Sequence, residues 1–83
     1  MPYTVTWPPG SLAALAHIWN QAPDRQAVTD ASNRIDRLLK FIPTSVGVAA
    51  GSVRRLRIAP LEVIYSVSGP DRRVDVLFVT FRP

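Results

Sequence analysis

Three arginines lie within four residues, Arg54, Arg55 and Arg57 around Leu56, and form the densest chemical cluster in the chain. On a strand, alternate residues share a face, so Arg55 and Arg57 would project together, about 6.6–7 Å apart. That is close to the spacing of successive phosphates along one nucleic-acid strand. Each planar guanidinium can grip a phosphate through two parallel N–H···O bonds. Arg54 alternates to the other face and is expected to snorkel round the strand edge. Arg82, just past the last apolar run, could reach the same face as Arg55 and Arg57. Two readings stand for this set. The arginines contact phosphates, or they guard an exposed edge strand against pairing with another sheet. For Arg82 alone, a solvated terminal charge competes.

The rest of the composition narrows the chemistry. Nine of the ten cations are arginine, and the chain carries a net +4 with a pI near 10.7. Residues 1–42 hold four cations against three carboxylates, whereas residues 43–83 hold six against three, so a polyanionic partner should meet the second half. With no cysteine there is no disulfide framework and no thiolate metal site. With one histidine, His17, a histidine-based metal site or a serine–histidine triad is disfavoured. His17 lies away from the apolar face of its helix and is expected to be exposed. Arg72 and Arg73 sit beside Asp71 and Asp75, which reads as a solvated hairpin tip. Tyr65, Trp7 and Trp19 read as packing residues.

These side chains must be positioned by a single domain of 83 residues, a size that buries only about 60% of the unfolded surface. Residues 2–7 alternate and are β-branched or aromatic, a strand that Pro8-Pro9-Gly10 ends. Ser11 sits where an N-cap belongs, and Leu12, Leu15, Ala16 and Trp19 then recur at helical spacing. Pro23 breaks this helix and Asp24 can cap the next, over about 24–42. Its apolar residues, Val28, Ala31, Ile35, Leu38, Leu39 and Ile42, fall in one arc. Asp30 with Arg34, and Asp36 with Lys40, are expected i,i+4 pairs.

Residues 44–51 are small and read as a loop, after which the period changes to two. Strands follow at 53–58, 61–67 and 73–81. The last is nearly continuously apolar, as a strand covered on both faces or lying centrally would be. The order β-α-α-β-β-β predicts an α+β fold. A helical hairpin packs on one face of a four-stranded, mostly antiparallel sheet. The first strand should pair with the last, leaving the arginine strand at the edge. No apolar run reaches the roughly 18–20 residues of a spanning helix, and no targeting segment stands out, so a cytoplasmic protein away from membranes is expected.

The chain resembles the RelE/ParE superfamily of toxins from type II toxin–antitoxin modules over nearly its whole length. YTVTW with SLAALAHIW resembles the family's first strand and helix, and APDRQAVTDASNRIDRLLKFIP its second helix. VRRLRIAPLEVIYSVSGPDRRVDVLFVTFR resembles its terminal β-meander, with LEVIYSV as the recurrent tyrosine-bearing strand. The scaffold serves two activities, ribosome-dependent mRNA cleavage and DNA gyrase inhibition.

In RelE-type members, the resemblance implies, cations on the second strand and arginines at the start of the third and after the fourth form the RNA site. Arg55 and Arg57 match the second-strand cations and Arg82 the post-strand arginine, with Arg54 counted beside them as RNA-binding. Two positions depart from the family: Glu62 stands where the third-strand arginine would be, and no tyrosine or histidine follows the last strand before Pro83. A carboxylate at Glu62 would repel phosphate, although in some related nucleases a glutamate is the general base. The implied activity is a metal- and cofactor-free endoribonuclease in which a ribose 2′-hydroxyl attacks the adjacent phosphate. Arg55, Arg57 and Arg82 would stabilise the charge, and Glu62 would accept the proton. The implied partners are a cognate antitoxin with the ribosome and mRNA. The alternatives are DNA gyrase, or a degenerate toxin that keeps only antitoxin binding.

Overall fold

A computed structural model of the chain describes residues 2–83. Five strands and two helices follow in the order β1 (Thr4–Thr6), α1 (Pro9–Gln21), α2 (Arg25–Phe41), β2 (Val48–Ala50), β3 (Val53–Ile58), β4 (Leu61–Ser68) and β5 (Arg73–Phe81). The sheet order is β1-β5-β4-β3-β2, with β1 parallel to β5 and the other pairs antiparallel. The β-α-α-β-β-β framework and the central place of the last strand are as expected. The sheet has five strands rather than four.

The extra strand lies in the segment expected to be a loop. Val48, Ala49 and Ala50 pair with Arg55, Arg54 and Val53 across a tight turn at Gly51-Ser52, where Gly51 has φ +63°. Ala49 and Ala50 carry little strand propensity of their own, and the ladder to β3 is what holds the segment extended. The arginine strand is therefore not the sheet edge over Val53–Arg55. Only its Leu56–Ile58 half stays open.

α2 is capped by Asp24, whose carboxylate accepts from the Ala27 N–H at 3.1 Å. Val28, Ala31, Ile35 and Leu39 form its buried stripe, but Ile42 is exposed, past the helix end. The expected Asp30–Arg34 and Asp36–Lys40 pairs give way to other partners. Asp30 accepts from Gln26 at 2.9 Å, and Asp36 from the Trp7 indole at 3.3 Å. Exposed i,i+4 ion pairs stabilise little, so they yield readily to such alternatives.

α1 begins at Pro9, two residues before the expected cap. Proline at the first helical position loses nothing by lacking an N–H. Ser11 is buried instead of capping, and its hydroxyl donates to the Pro8 carbonyl at 3.1 Å. The face packed on β5 is Ser11, Ala14, Leu15 and Ile18, with Ala22 just beyond the helix. Small residues at 11 and 14 let the helix lie close to the sheet. Leu12 and Trp19, expected on the buried face, are 54% and 40% exposed. Trp19 turns toward α2 and donates to the Thr29 hydroxyl at 3.1 Å.

The core lies between the helices and one sheet face, where Leu56, Leu61, Val63, Tyr65, Val74, Val76 and Val79 are buried. Among the described residues no helix lies over the opposite face of the sheet, so β5 is interior without being covered on both sides. Among the described residues, no helix is long and apolar enough to cross a membrane.

Candidate functional site

Register decides which side chains meet on the open face. Arg57 lies opposite Glu62, and Glu62 opposite Thr80. Arg55 lies opposite Ile64, and Ile64 opposite Phe78. Directly paired residues share a face, so these form two adjacent rows across β3, β4 and β5. Their sequence neighbours Leu56, Val63, Tyr65 and Val79 are buried against the helices.

The chain brings Arg82 back to these rows through its own backbone. The Arg82 N–H donates to the Pro60 carbonyl at 2.6 Å, fastening the segment after β5 to the β3–β4 turn. Glu62 then sits between two cations. Its carboxylate is 3.7 Å from Arg55 Nε and 3.5 Å from Arg82 Nε, and its side chain is only 17% exposed. Arg57 donates to the carbonyls of Arg82 and Pro83 at 3.4 and 3.3 Å. Two guanidiniums thus flank one carboxylate, and a third, from Arg57, is tied to the backbone beside Arg82.

These contacts are loose. Charge-assisted N–H···O bonds settle near 2.7–2.9 Å, so both Glu62 pairs at 3.5 and 3.7 Å are long. Arg55 and Arg82 are more than half exposed, where such pairs stabilise little, about 0–1 kcal/mol. An incoming phosphate could therefore draw both guanidiniums from Glu62 at small cost.

Arg54 is placed elsewhere. It is on the helix side, where its Nε donates to the Val46 carbonyl at 3.1 Å and its Nη2 to the Gly47 carbonyl at 3.4 Å. The Tyr65 hydroxyl donates to the carbonyls of Pro43 at 2.8 Å and Val46 at 3.0 Å. Burial pushes the Tyr65 phenol above its ordinary pKa, against a smaller opposing pull from Arg54. Arg54 and Tyr65 thereby fix the segment between α2 and β2, a structural duty that alternation alone does not announce.

The remaining charges lie away from the arginine cluster. Arg73 grips Asp75 with two hydrogen bonds of 3.0 and 3.1 Å, and Thr6 adds another to the same carboxylate. The bonds from Arg73, then that from Thr6, hold the Asp75 carboxyl below its usual range. Arg72 lies over the Tyr3 ring at 4.6 Å. His17 is exposed on α1. A separate apolar groove of about 430 Å³ runs between the helices, lined by Leu12, Leu15, Ala16, Trp19, Val28 and Thr29. Apolar spacing alone puts Leu12 and Trp19 in the core, which leaves the groove invisible in the sequence.

No family model matches the chain, and no curated protein matches it. Solved structures do. The chain superposes on the RelBE2 toxin–antitoxin complex of Mycobacterium tuberculosis with a TM-score of 0.73 at 14% identity, covering 99% of this chain and 93% of that one. Against the chromosomal ParDE toxin–antitoxin system of P. aeruginosa the TM-score is 0.75 at 17% identity, covering 98% and 97%. Against the archaeal RelE–RelB complex of Pyrococcus horikoshii it is 0.68 at 21% identity, covering 99% and 97%. At these identities the likeness is one of fold.

Proposed function

We propose that this chain, which carries the fold found in RelE–RelB and ParDE complexes, is the toxin of a type II toxin–antitoxin module and cleaves mRNA on the ribosome. One observation supports this reading above the others: Arg55 from β3 and Arg82 from beyond β5 meet at Glu62 of β4 on the open sheet face, with Arg57 bound to the Arg82 backbone beside them. A solvated arginine set needs no such convergence.

In the proposed reaction the scissile phosphate takes the place of Glu62 as partner of Arg55 and Arg82. The ribose 2′-oxygen attacks phosphorus and its proton passes to the freed Glu62 carboxylate. The bond to the 5′-oxygen breaks, and that oxygen takes a proton from solvent, leaving a 2′,3′-cyclic phosphate. The three guanidiniums stabilise the charge gathering on the phosphoryl oxygens. Glu62 fits the role of base because its side chain is shielded and held on the face where the phosphate would bind.

The same reading implies an antitoxin partner. An acidic segment that folds on binding would neutralise the arginine face. The test of function is controlled expression without antitoxin. Early translation arrest with mRNA cut inside codons supports cleavage. Double-strand DNA breaks with continued synthesis would replace it by gyrase inhibition.

A further inference from the structure

The open face carries one feature that the arginine chemistry does not use. Phe78 is 65% exposed, the most open large hydrophobic side chain among the described residues. It would be buried if β5 alternated regularly, since Val74 and Val76 both point into the core. A register shift between Ile64 and Tyr65 prevents that. Tyr65 pairs with Val76 but Ile64 with Phe78, so Leu77 is an extra residue in β5. The bulge reverses parity, sends Val79 into the core and turns Phe78 outward. Bulges of this kind re-aim side chains and recur beside active sites.

The outward ring lands beside the arginine cluster. Phe78 is directly opposite Ile64, which is directly opposite Arg55. Its diagonal neighbour across the same strand pair is Glu62, at about 7–8 Å between backbones. A nucleotide whose phosphate is held between Arg55 and Arg82 would have its base within reach of the ring. An exposed aromatic beside a cationic strip is the combination that binds single-stranded nucleic acid: charges follow the backbone and the ring stacks on a base. A protein partner would bury the ring in an apolar pocket of its own; the adjoining arginine row, spaced for successive phosphates, favours the nucleic acid.

We infer that Phe78 is a base-stacking platform for the RNA strand whose phosphate the arginines hold. This rests on the ribonuclease reading and names how that site positions its substrate. Stacking is indifferent to base identity, so the platform adds affinity and register rather than sequence choice.

The test is binding of a single-stranded RNA 9-mer by the full chain. Its central nucleotide is 2′-deoxy, to remove the nucleophile, and a neighbouring base is the fluorescent analogue 2-aminopurine. Phe78→Ala should weaken binding about 5- to 140-fold, the range that loss of one stacked base gives. Phe78→Leu should be as weak, and Phe78→Trp should restore affinity and quench the 2-aminopurine. The salt dependence of binding should stay unchanged in Phe78→Ala, whereas Arg82→Ala should lower its slope by about one. RNA binding that Phe78→Ala or Phe78→Leu leaves intact overturns the platform alone. No binding by the wild type at low salt overturns the platform, while the ribosome-bound cleavage assay alone decides the ribonuclease reading.

Discussion

Two glycines allow a controlled measure of how tightly the segment ahead of β2 holds the arginine strand. Gly47 and Gly51 both have positive φ, at 71° and 63°. An alanine at either position would meet the left-handed penalty, about 1–2 kcal/mol. The surroundings differ. A Cβ on Gly51 would meet nothing within 4 Å, whereas one on Gly47 would lie 2.7 Å from the Arg55 carbonyl oxygen and 3.1 Å from the Tyr65 hydroxyl. Neither neighbour can retreat freely. The first is backbone of β3, and the second is held by the Pro43 and Val46 carbonyls. Overpacking of this kind costs about 1–3 kcal/mol more. Gly47→Ala should therefore be less stable than Gly51→Ala by about 1–3 kcal/mol, or roughly 5–20 °C in Tm for a domain of this size. Urea unfolding of the two variants beside the wild type measures the gap. Equal losses would refute the claim that close approach, rather than φ alone, selects glycine at position 47.

Arg55→Ala, Arg57→Ala and Arg82→Ala should each lower ribosome-bound mRNA cleavage about 10²- to 10³-fold while leaving the fold intact; full activity in all three would remove the ribonuclease reading. Glu62→Gln should slow cleavage too, and equal or faster cutting would assign the carboxylate to holding arginines apart. Arg55→Glu with Arg57→Glu should weaken antitoxin binding at low salt, and a complex that persists at both low and high salt is not held by charge. Tyr65 has a raised pKa when folded, so its contribution is fully present below the unfolded value near 10 and is lost as pH rises through the folded one. Tyr65→Phe, compared in urea melts from pH 8 to 11, should flatten that alkaline loss, though it is less stable throughout. Ile35→Ala should cost about 2–5 kcal/mol in the same melts, whereas Leu12→Ala, on the exposed side of α1, should stay within about 0.5 kcal/mol.

The parts legible in the sequence are those where many residues vote together. The period changes near residue 50, α2 shows one long stripe capped by Asp24, and the apolar run at 73–81 belongs mid-sheet. The parity of β3 and β4 likewise places Arg55, Arg57 and Glu62 on one face from residue types alone. What escaped depends on partners distant in sequence. β2 exists only because β3 is there to pair with it. The rotation of α1 follows from how near Ser11 and Ala14 let it approach β5, which its own apolar spacing does not encode. The bulge at Leu77 is invisible in an unbroken apolar run, where an inserted residue changes no pattern. Arg54 was counted with the other arginines because its bonds to the Val46 and Gly47 carbonyls depend on how residues 43–47 fold back.

The parallel pairing of β1 with β5 also has a bearing on synthesis. Thr4, Val5 and Thr6 leave the ribosome well before their partners Arg73, Val74 and Asp75, which lie at the far end of the domain. β4 likewise waits for β5, which fills the place between them. A nascent chain can form the helical hairpin and the β2–β3–β4 meander, but its first strand has no neighbour until β5 clears the exit tunnel. Arg82 joins Arg55 and Glu62 only at that same final step. The cationic cluster is thus the last part of this domain to assemble, formed only when the sheet closes around β5.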